Sequence, residues 1–507
     1  MNSTPQIDPF APCPAPFNLA AYVLDPGNAP SAKTALELWS GTRVDRWSYH
    51  RLRRAVFQTA AALLEEGCQP RDKILMRVGN SVDFPILFLA CLAADLVPVP
   101  TSAALTQEEI DWIAGDLQPA LSVWDGETVA PTGLRSLRIH DIKSAEQIAG
   151  FEPVPGDPNR LAFVVYTSGS SGRPRAVAHA HRAIWARRMM WDGWYGMGPE
   201  DRMLHAGAFN WTYTLGVGLM DPWAIGATAI IPAAGTQSVD LPELLHQSEA
   251  SIFAAAPGVY RQILKSDALT PLPSLRHGLA AGEALPGSLR ETWRDRMGTE
   301  IYEALGMSEC STFVSGCPTR PAPPGTAGYA QPGRRIAALG AEGAPVPPLK
   351  PGRLAIHRSD PGLMLGYLED GRPTLPLQGD WFDTGDMVEI GADGAVRYLG
   401  RDDDMMNAGG FRVSPLEVER AFQSLPEITE TAAVEVEIKP DVTVIALFYA
   451  SNTALPEDRL RAEALQHLAR YKQPRLYIHR ETLPKGGNGK LNRRALRAGF
   501  EAPHDQA

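Results

Sequence analysis

Residues Leu161 to Arg175 read LAFVVYTSGSSGRPR. The first seven are apolar, aromatic or β-branched, the composition of a buried strand, and the next six are only Ser, Gly and Arg. A strand that ends in such a loop can surround an anion with backbone amides and hydroxyls, and Arg173 and Arg175 add positive charge. Glycine lets the backbone approach closely. A solvated turn is an equal reading of the same residues, since Ser and Gly are ordinary turn formers. The P-loop NTPase pattern is excluded, because GxxxxGK[ST] needs another glycine spacing and a Lys-Ser/Thr pair that is missing.

Working outward, apolar runs of the same kind recur as KILMRV, ATAIIP and SIFAAAP, with helical stretches such as 49–66 between them. That alternation predicts an α/β fold of layered subdomains with mainly parallel sheets. The Pro/Gly-rich section 318–352 carries short strand-like pieces and predicts an attached β-rich subdomain. At Gly400 the character changes again: GRDDDMMNAGGFRVSPLEVERAF passes from a run of charge to a Gly-Gly turn and a helix opened by Ser414-Pro415 with Glu417 in its first turn. We place a large N-terminal domain at 1–400 and a small α+β C-terminal domain at 401–507.

A formal charge of -10 over 507 residues speaks against a broad nucleic-acid or anionic-membrane surface, so an anionic ligand must meet a local cluster of cations. Cys13, Cys68, Cys91, Cys310 and Cys317 are odd in number and form no CxxC pair. They read as reduced thiols in a cytoplasmic protein, filling the interior as small hydrophobes. The start, MNSTPQIDPFAPCPAPF, has neither the basic end nor the apolar centre of a secretory signal. The apolar segment FPILFLACLAADLVPV is broken by Asp95 and prolines before the roughly 20 residues a membrane span needs, so no anchor is expected.

Three more segments offer chemistry. Ala304–Glu309, ALGMSE, ends in a carboxylate that would suit Mg2+ beside phosphates, or is a surface glutamate. Trp381–Asp386, WFDTGD, places acidic groups at a tight turn, where Asp386 would accept from a ribose diol, or is an Asx turn. Leu483–Lys490, LPKGGNGK, presents a lysine from a glycine-rich loop, or is an exposed basic tail.

Taken in order, YTSGSSGRPRAVAHAH, ALGMSE, WFDTGD, GRDDDMMNAGGFRVSPLEVE and LPKGGNGKLNRRALR resemble the motifs of the adenylate-forming superfamily of acyl-CoA synthetases, peptide-synthetase adenylation domains and luciferases. The resemblance covers nearly the whole chain. Within it, GAFNWTYTLGVGLMDPWAIGAT and NAGGFRVSPLEVE look most like the medium-chain and benzoate-type acyl-CoA ligases. The resemblance implies ATP-dependent activation of a benzoate-like, alicyclic or medium-chain carboxylic acid to an acyl-adenylate, then transfer to coenzyme A with release of AMP. ATP, Mg2+ and coenzyme A are the implied co-substrates and cofactor, and the C-terminal domain is implied to be mobile.

Residue by residue, the resemblance puts Thr167, Ser168, Gly169, Ser170, Ser171 and Gly172 around the β- and γ-phosphates, with Arg175 beside them. Glu283, Ala304, Leu305, Gly306, Met307 and Ser308 match the adenylate-binding positions, Glu309 the magnesium position, and Asp386 and Arg401 the ribose positions. Asp403 matches the hinge, Gly409, Gly410 and Arg412 the coenzyme A segment, and Lys490 the catalytic lysine, which in related enzymes is a target of acetylation. Phe209, Trp211, Tyr213, Ala281, Gly282 and Met307 match the acyl pocket. FNWTYTL holds no aspartate to pair with an α-amino group, which weighs against amino-acid activation. His179 and His181 read as structural rather than as a metal pair, given their i,i+2 spacing.

Two positions depart from the family pattern: Arg175-Ala176 stands where Lys-Gly is usual, and Leu305 where many members carry Tyr. An enzyme that loads a carrier protein is the alternative, against which no carrier-like segment is evident; a nucleotide-binding regulator without catalysis is the other.

Overall fold

Ser48 accepts a hydrogen bond from the Arg51 amide at 3.1 Å and opens a helix over Tyr49–Glu65, in which Tyr49, Leu52, Val56, Ala60 and Leu63 are buried. That is the 3.6-residue spacing of one apolar face. The apolar segment that fails as a membrane span forms the helix Asp83–Ala93, buried on every side, with only Asp83 of its residues outside the core. Among the described residues no helix is long and apolar enough to cross a membrane. The computed structural model describes residues 11–142, 151–167, 174–408, 411–439, 442–486 and 491–500.

The chain divides into two compact units, one of Pro5–Arg335 with His357–Phe382 and the other of 336–356 with the chain from Asp383 onward. The larger unit is layered α/β, as the alternation of runs predicts. Six strands lie parallel in the order Thr34–Ser40, Thr228–Pro232, Arg202–His205, Ile252–Ala255, His277–Ala281 and Glu300–Met307. Antiparallel partners flank the parallel run, Arg43–Ser48 on one side, Ser311–Ser315 and then Gly328–Ala330 on the other. A second, all-parallel sheet holds Val97–Pro100, Lys73–Arg77, Leu121–Trp124 and Ser136–Arg138.

The opening strand belongs to neither. Leu161–Thr167 runs antiparallel to Arg175–Ala180, which pairs in turn with Gly366–Glu369 and then Arg372–Thr374. The two strands flanking 168–173 therefore pair with each other as a hairpin, and Thr167 faces Arg175 at its mouth.

The smaller unit is β-rich. It pairs Ile336–Leu339 with Arg353 to Ile356, and Asp386 to Ile390 with Ala395–Arg401, both antiparallel. A hairpin of Met406–Ala408 and Phe411–Val413 leads to the helix Pro415–Arg420, capped by Ser414 as the sequence implies. A three-stranded sheet follows, Ile428–Lys439, Val442–Ser451 and Leu476–Arg480, its core filled by residues such as Val418, Phe422, Leu447 and Leu460.

Candidate active site

In the larger unit, Glu309 closes the turn after the strand Glu300–Met307. The residue is 5% exposed. Oε1 accepts from the Tyr367 hydroxyl at 2.8 Å, and the backbone carbonyl accepts from the Met364 amide at 2.8 Å. Arg175 approaches the same Oε1 at 3.8 Å, beyond hydrogen-bond reach, while its guanidinium carbon lies 4.0 Å from the Tyr367 ring centroid. Oε2 of Glu309 has no partner among the described residues. The ALGMSE and phosphate-loop motifs thus meet at one cation and one carboxylate, with a tyrosine between them that no sequence motif marked.

That carboxylate fits Mg2+. The ion keeps several waters and binds through one or two carboxylates plus substrate phosphates, so a single buried acid with an open oxygen satisfies it. Among the described residues no group of three or more His, Cys, Asp and Glu side chains stands close enough to hold a metal by itself.

The segment is fixed from behind. The Ser308 carbonyl contacts His179 Nε2 at 2.8 Å, and the His179 ring stacks on Phe163 with centroids 4.7 Å apart. Burial holds His179 down to about pKa 4, a neutral imidazole at working pH. His181 Nδ1 accepts from the Leu19 amide at 3.1 Å. Both histidines are structural. Cys310, next to Glu309, is fully buried, and burial pushes its thiol well above the usual range although Arg334 pulls the other way.

Of the acyl-pocket positions, Tyr213 and Ala281 share one apolar cluster with Trp194, Leu279 and the adenylate-position residue Ala304. Tyr213 stacks on Trp194, centroids 5.9 Å apart, and donates to the Leu279 carbonyl at 3.2 Å. Trp211 is 40% exposed. Gly282, at φ +99, ends the strand His277–Ala281 with open space where a Cβ would stand. Phe209 is buried against Phe84, centroids 5.3 Å apart. Glu283 accepts from the Gly258 amide at 3.0 Å, and Leu305, Gly306 and Met307 complete their strand opposite Ser311–Val314. A cavity of about 30 Å3 behind Ser308, lined by Phe163, His179, Arg187, Met190 and Arg334 among others, holds none of these acyl-pocket residues and is the size of a water or two.

The smaller unit holds the second constellation. WFDTGD is not a tight turn: it lies inside the ten-residue strand Trp381–Ile390, kinked at Gly385, whose φ is +73. Asp383 Oδ1 accepts from the Gly385 amide at 2.8 Å, a local bond that mimics a turn, while the strand is paired on either side of it, Trp381 and Phe382 with Leu377–Gln378 and Asp386 onward with Ala395–Arg401. Asp386 is buried and accepts from Tyr398 at 3.3 Å and Arg401 at 3.2 Å. Burial raises its pKa, and Arg401 opposes the rise. A Cβ at Gly385 would stand 2.6 Å from Arg401 Nη2, so glycine there lets the arginine lie across the strand.

Arg401 also reaches Asp403 at 3.7 Å, and Asp403 and Asp404 face Arg494 at 3.9 Å and Arg497 at 3.6 Å, on the helix Arg493–Ala498. Lys485 pairs with Glu430 at 2.6 Å. Ser168, Gly169, Ser170, Ser171, Gly172, Gly409, Gly410 and Lys490 lie outside the described residues, and of Arg412 only the backbone strand is described.

The chain is similar to known proteins over most of its length. The profile of a family described as AMP-binding enzyme matches residues 26–368. A benzoate–CoA ligase of Thauera aromatica is 29% identical over 486 residues, 89% of this chain and 90% of that enzyme. A 4-hydroxybenzoate–CoA/benzoate–CoA ligase of Rhodopseudomonas palustris is 28% identical, covering 89% of this chain and 88% of its own length. The crystal structure of a benzoate CoA ligase from Burkholderia xenovorans superposes with a TM-score of 0.84 at 25% identity, over 95% of this chain and all of that one.

Proposed function

The chain belongs to the AMP-binding enzyme family, and from that premise we propose that it acts on a benzoate-like, alicyclic or medium-chain acid. It is an AMP-forming acyl-CoA synthetase, joining a carboxylic acid to ATP and passing the acyl group to coenzyme A. The observation that carries the reading is the open pairing of Arg175 and Glu309 at the mouth of the Leu161–Ala180 hairpin. An acid attacking an α-phosphate brings like charges together, so the protein's work is positioning and charge neutralisation.

In this reading Thr167 to Gly172 orient the departing pyrophosphate and Arg175 supplies charge to it. Bound Mg2+ screens the phosphates, and Glu309 is the residue that would hold it. Asp386 and Arg401 take the ribose, with Tyr398 fixing the acceptor geometry. Lys490 bridges the acid and α-phosphate oxygens, and Gly409, Gly410 and Arg412 admit the pantetheine arm after a rotation about Asp403 in a mobile domain 401–507. Tyr213, Ala281, Gly282 and Met307 form the acyl wall, apolar and compact, which supports a ring or a short chain. We also assign the protein to the cytoplasm and Lys490 to regulation by acetylation, which a normal rate after stoichiometric acetylation would refute.

The test is pyrophosphate release with ATP and Mg2+ across benzoate, cyclohexanecarboxylate, linear acids of rising length and amino acids, each with and without coenzyme A. Turnover that needs coenzyme A and favours one of the first three classes is expected. Release without thioester would return the carrier-protein alternative, which the CoA-ligase relatives do not favour. Silence throughout would overturn the reading.

A further inference from the structure

Tyr367 lies in none of the motifs, yet it touches both charged groups of the larger unit's site. Its strand, Gly366–Glu369, pairs Tyr367 with Val177 and Gly366 with Ala178, two and three residues beyond Arg175. Gly366 sits at φ +142, and a Cβ there would stand 2.3 Å from the Thr374 backbone, so the chain can pass only as glycine and the next side chain is fixed in direction. The same stretch binds the Glu309 carbonyl through Met364.

An exposed arginine beside a carboxylate ordinarily closes to a forked pair near 2.8 Å. Here the separation is 3.8 Å, because the guanidinium lies on the ring face and the carboxylate hangs from the hydroxyl. We propose that Tyr367 is a positioning residue that keeps Arg175 and Glu309 apart, the cation for phosphate and the carboxylate for Mg2+. Without it the two collapse onto each other and each loses its ligand. The ring face and the hydroxyl perform separable tasks, and arginine, flat and able to stack, suits the first better than the lysine usual at that position.

This rests on the ATP-dependent reading above, and the experiment separates the two. ATP binding to the full chain is measured by calorimetry with Mg2+ and with EDTA, which needs no knowledge of the acid. The wild type binds more tightly with Mg2+; failure to bind ATP at all would overturn the functional reading and this inference with it. Tyr367→Phe keeps the ring and removes the hydroxyl, and is expected to cut the gain from Mg2+ about tenfold while leaving metal-free binding near wild type. Arg175→Gln is expected to do the reverse, weakening metal-free binding while the gain from Mg2+ survives. A wild type that binds ATP, with Tyr367→Phe showing an undiminished gain or losing both affinities equally, overturns the inference alone. Tyr367→Leu, lacking ring and hydroxyl, is expected to lose both.

Discussion

Each unit carries a carboxylate flanked by a tyrosine and an arginine, and the two are built differently. In the larger unit Glu309 takes the Tyr367 hydroxyl at 2.8 Å and keeps Arg175 at 3.8 Å. In the smaller, Asp386 bonds Arg401 directly at 3.2 Å and Tyr398 at 3.3 Å. The first arrangement leaves charge to give to a metal and a polyphosphate. The second spends its charge internally, and what remains is a rigid acceptor suited to neutral hydroxyls. The same three residue types therefore make an electrostatic site or a hydrogen-bonding site, according to whether the arginine is stacked or paired.

The comparison can be broken at several points. The largest expected effect lies with the cation of the smaller unit proposed to bridge the reacting groups: Lys490→Ala should lower adenylation by about 10²–10³-fold while thioester formation from a supplied acyl-adenylate persists. Equal loss in both half-reactions would show that the smaller unit does not divide its labour. Glu309→Gln keeps an acceptor for Tyr367 and removes the charge, and should cost adenylation about 10²-fold with a raised Mg2+ requirement. A normal Mg2+ titration would erase the contrast between the two carboxylates. Asp386→Asn preserves the acceptor and should raise the KM for ATP only about tenfold, since its charge is already spent on Arg401. A drop as deep as that of Glu309→Gln would mean that both sites are electrostatic. Smallest of all, Arg494→Ala removes an exposed partner of Asp403 and should alter either half-reaction by less than about fivefold, as single-turnover rates will tell.

Much of the larger unit was legible because its signals are local. LAFVVYT is a strand by composition, and ALGMSE ends a strand in a turn, as the structure has them. The helix expected over 49–66 ends one residue earlier, at Glu65. What was not legible depends on register between distant segments. Tyr367 acts through its alignment with Val177, some way from any motif, and an aromatic residue in a short apolar strand announces nothing. WFDTGD misled for a related reason: Gly385 and the Asp383 bond carry the marks of a turn, and only the pairing on either side, with Leu377–Gln378 before it and Ala395–Arg401 from Asp386 onward, shows that the chain continues as a strand. Nor does any periodicity reveal that 336–356 packs with residues from Asp383 onward.

Cys310 gives the site its last property. The reaction passes through an acyl phosphate anhydride, whose acyl group goes to the thiol of coenzyme A as AMP leaves, and Cys310 is a resident thiol that follows Glu309 in the chain. A surface cysteine there would be acylated by its own product. Buried completely and held as the neutral thiol, Cys310 is no nucleophile. The packing around Cys310 thus withholds the resident thiol from acylation by access and protonation alone.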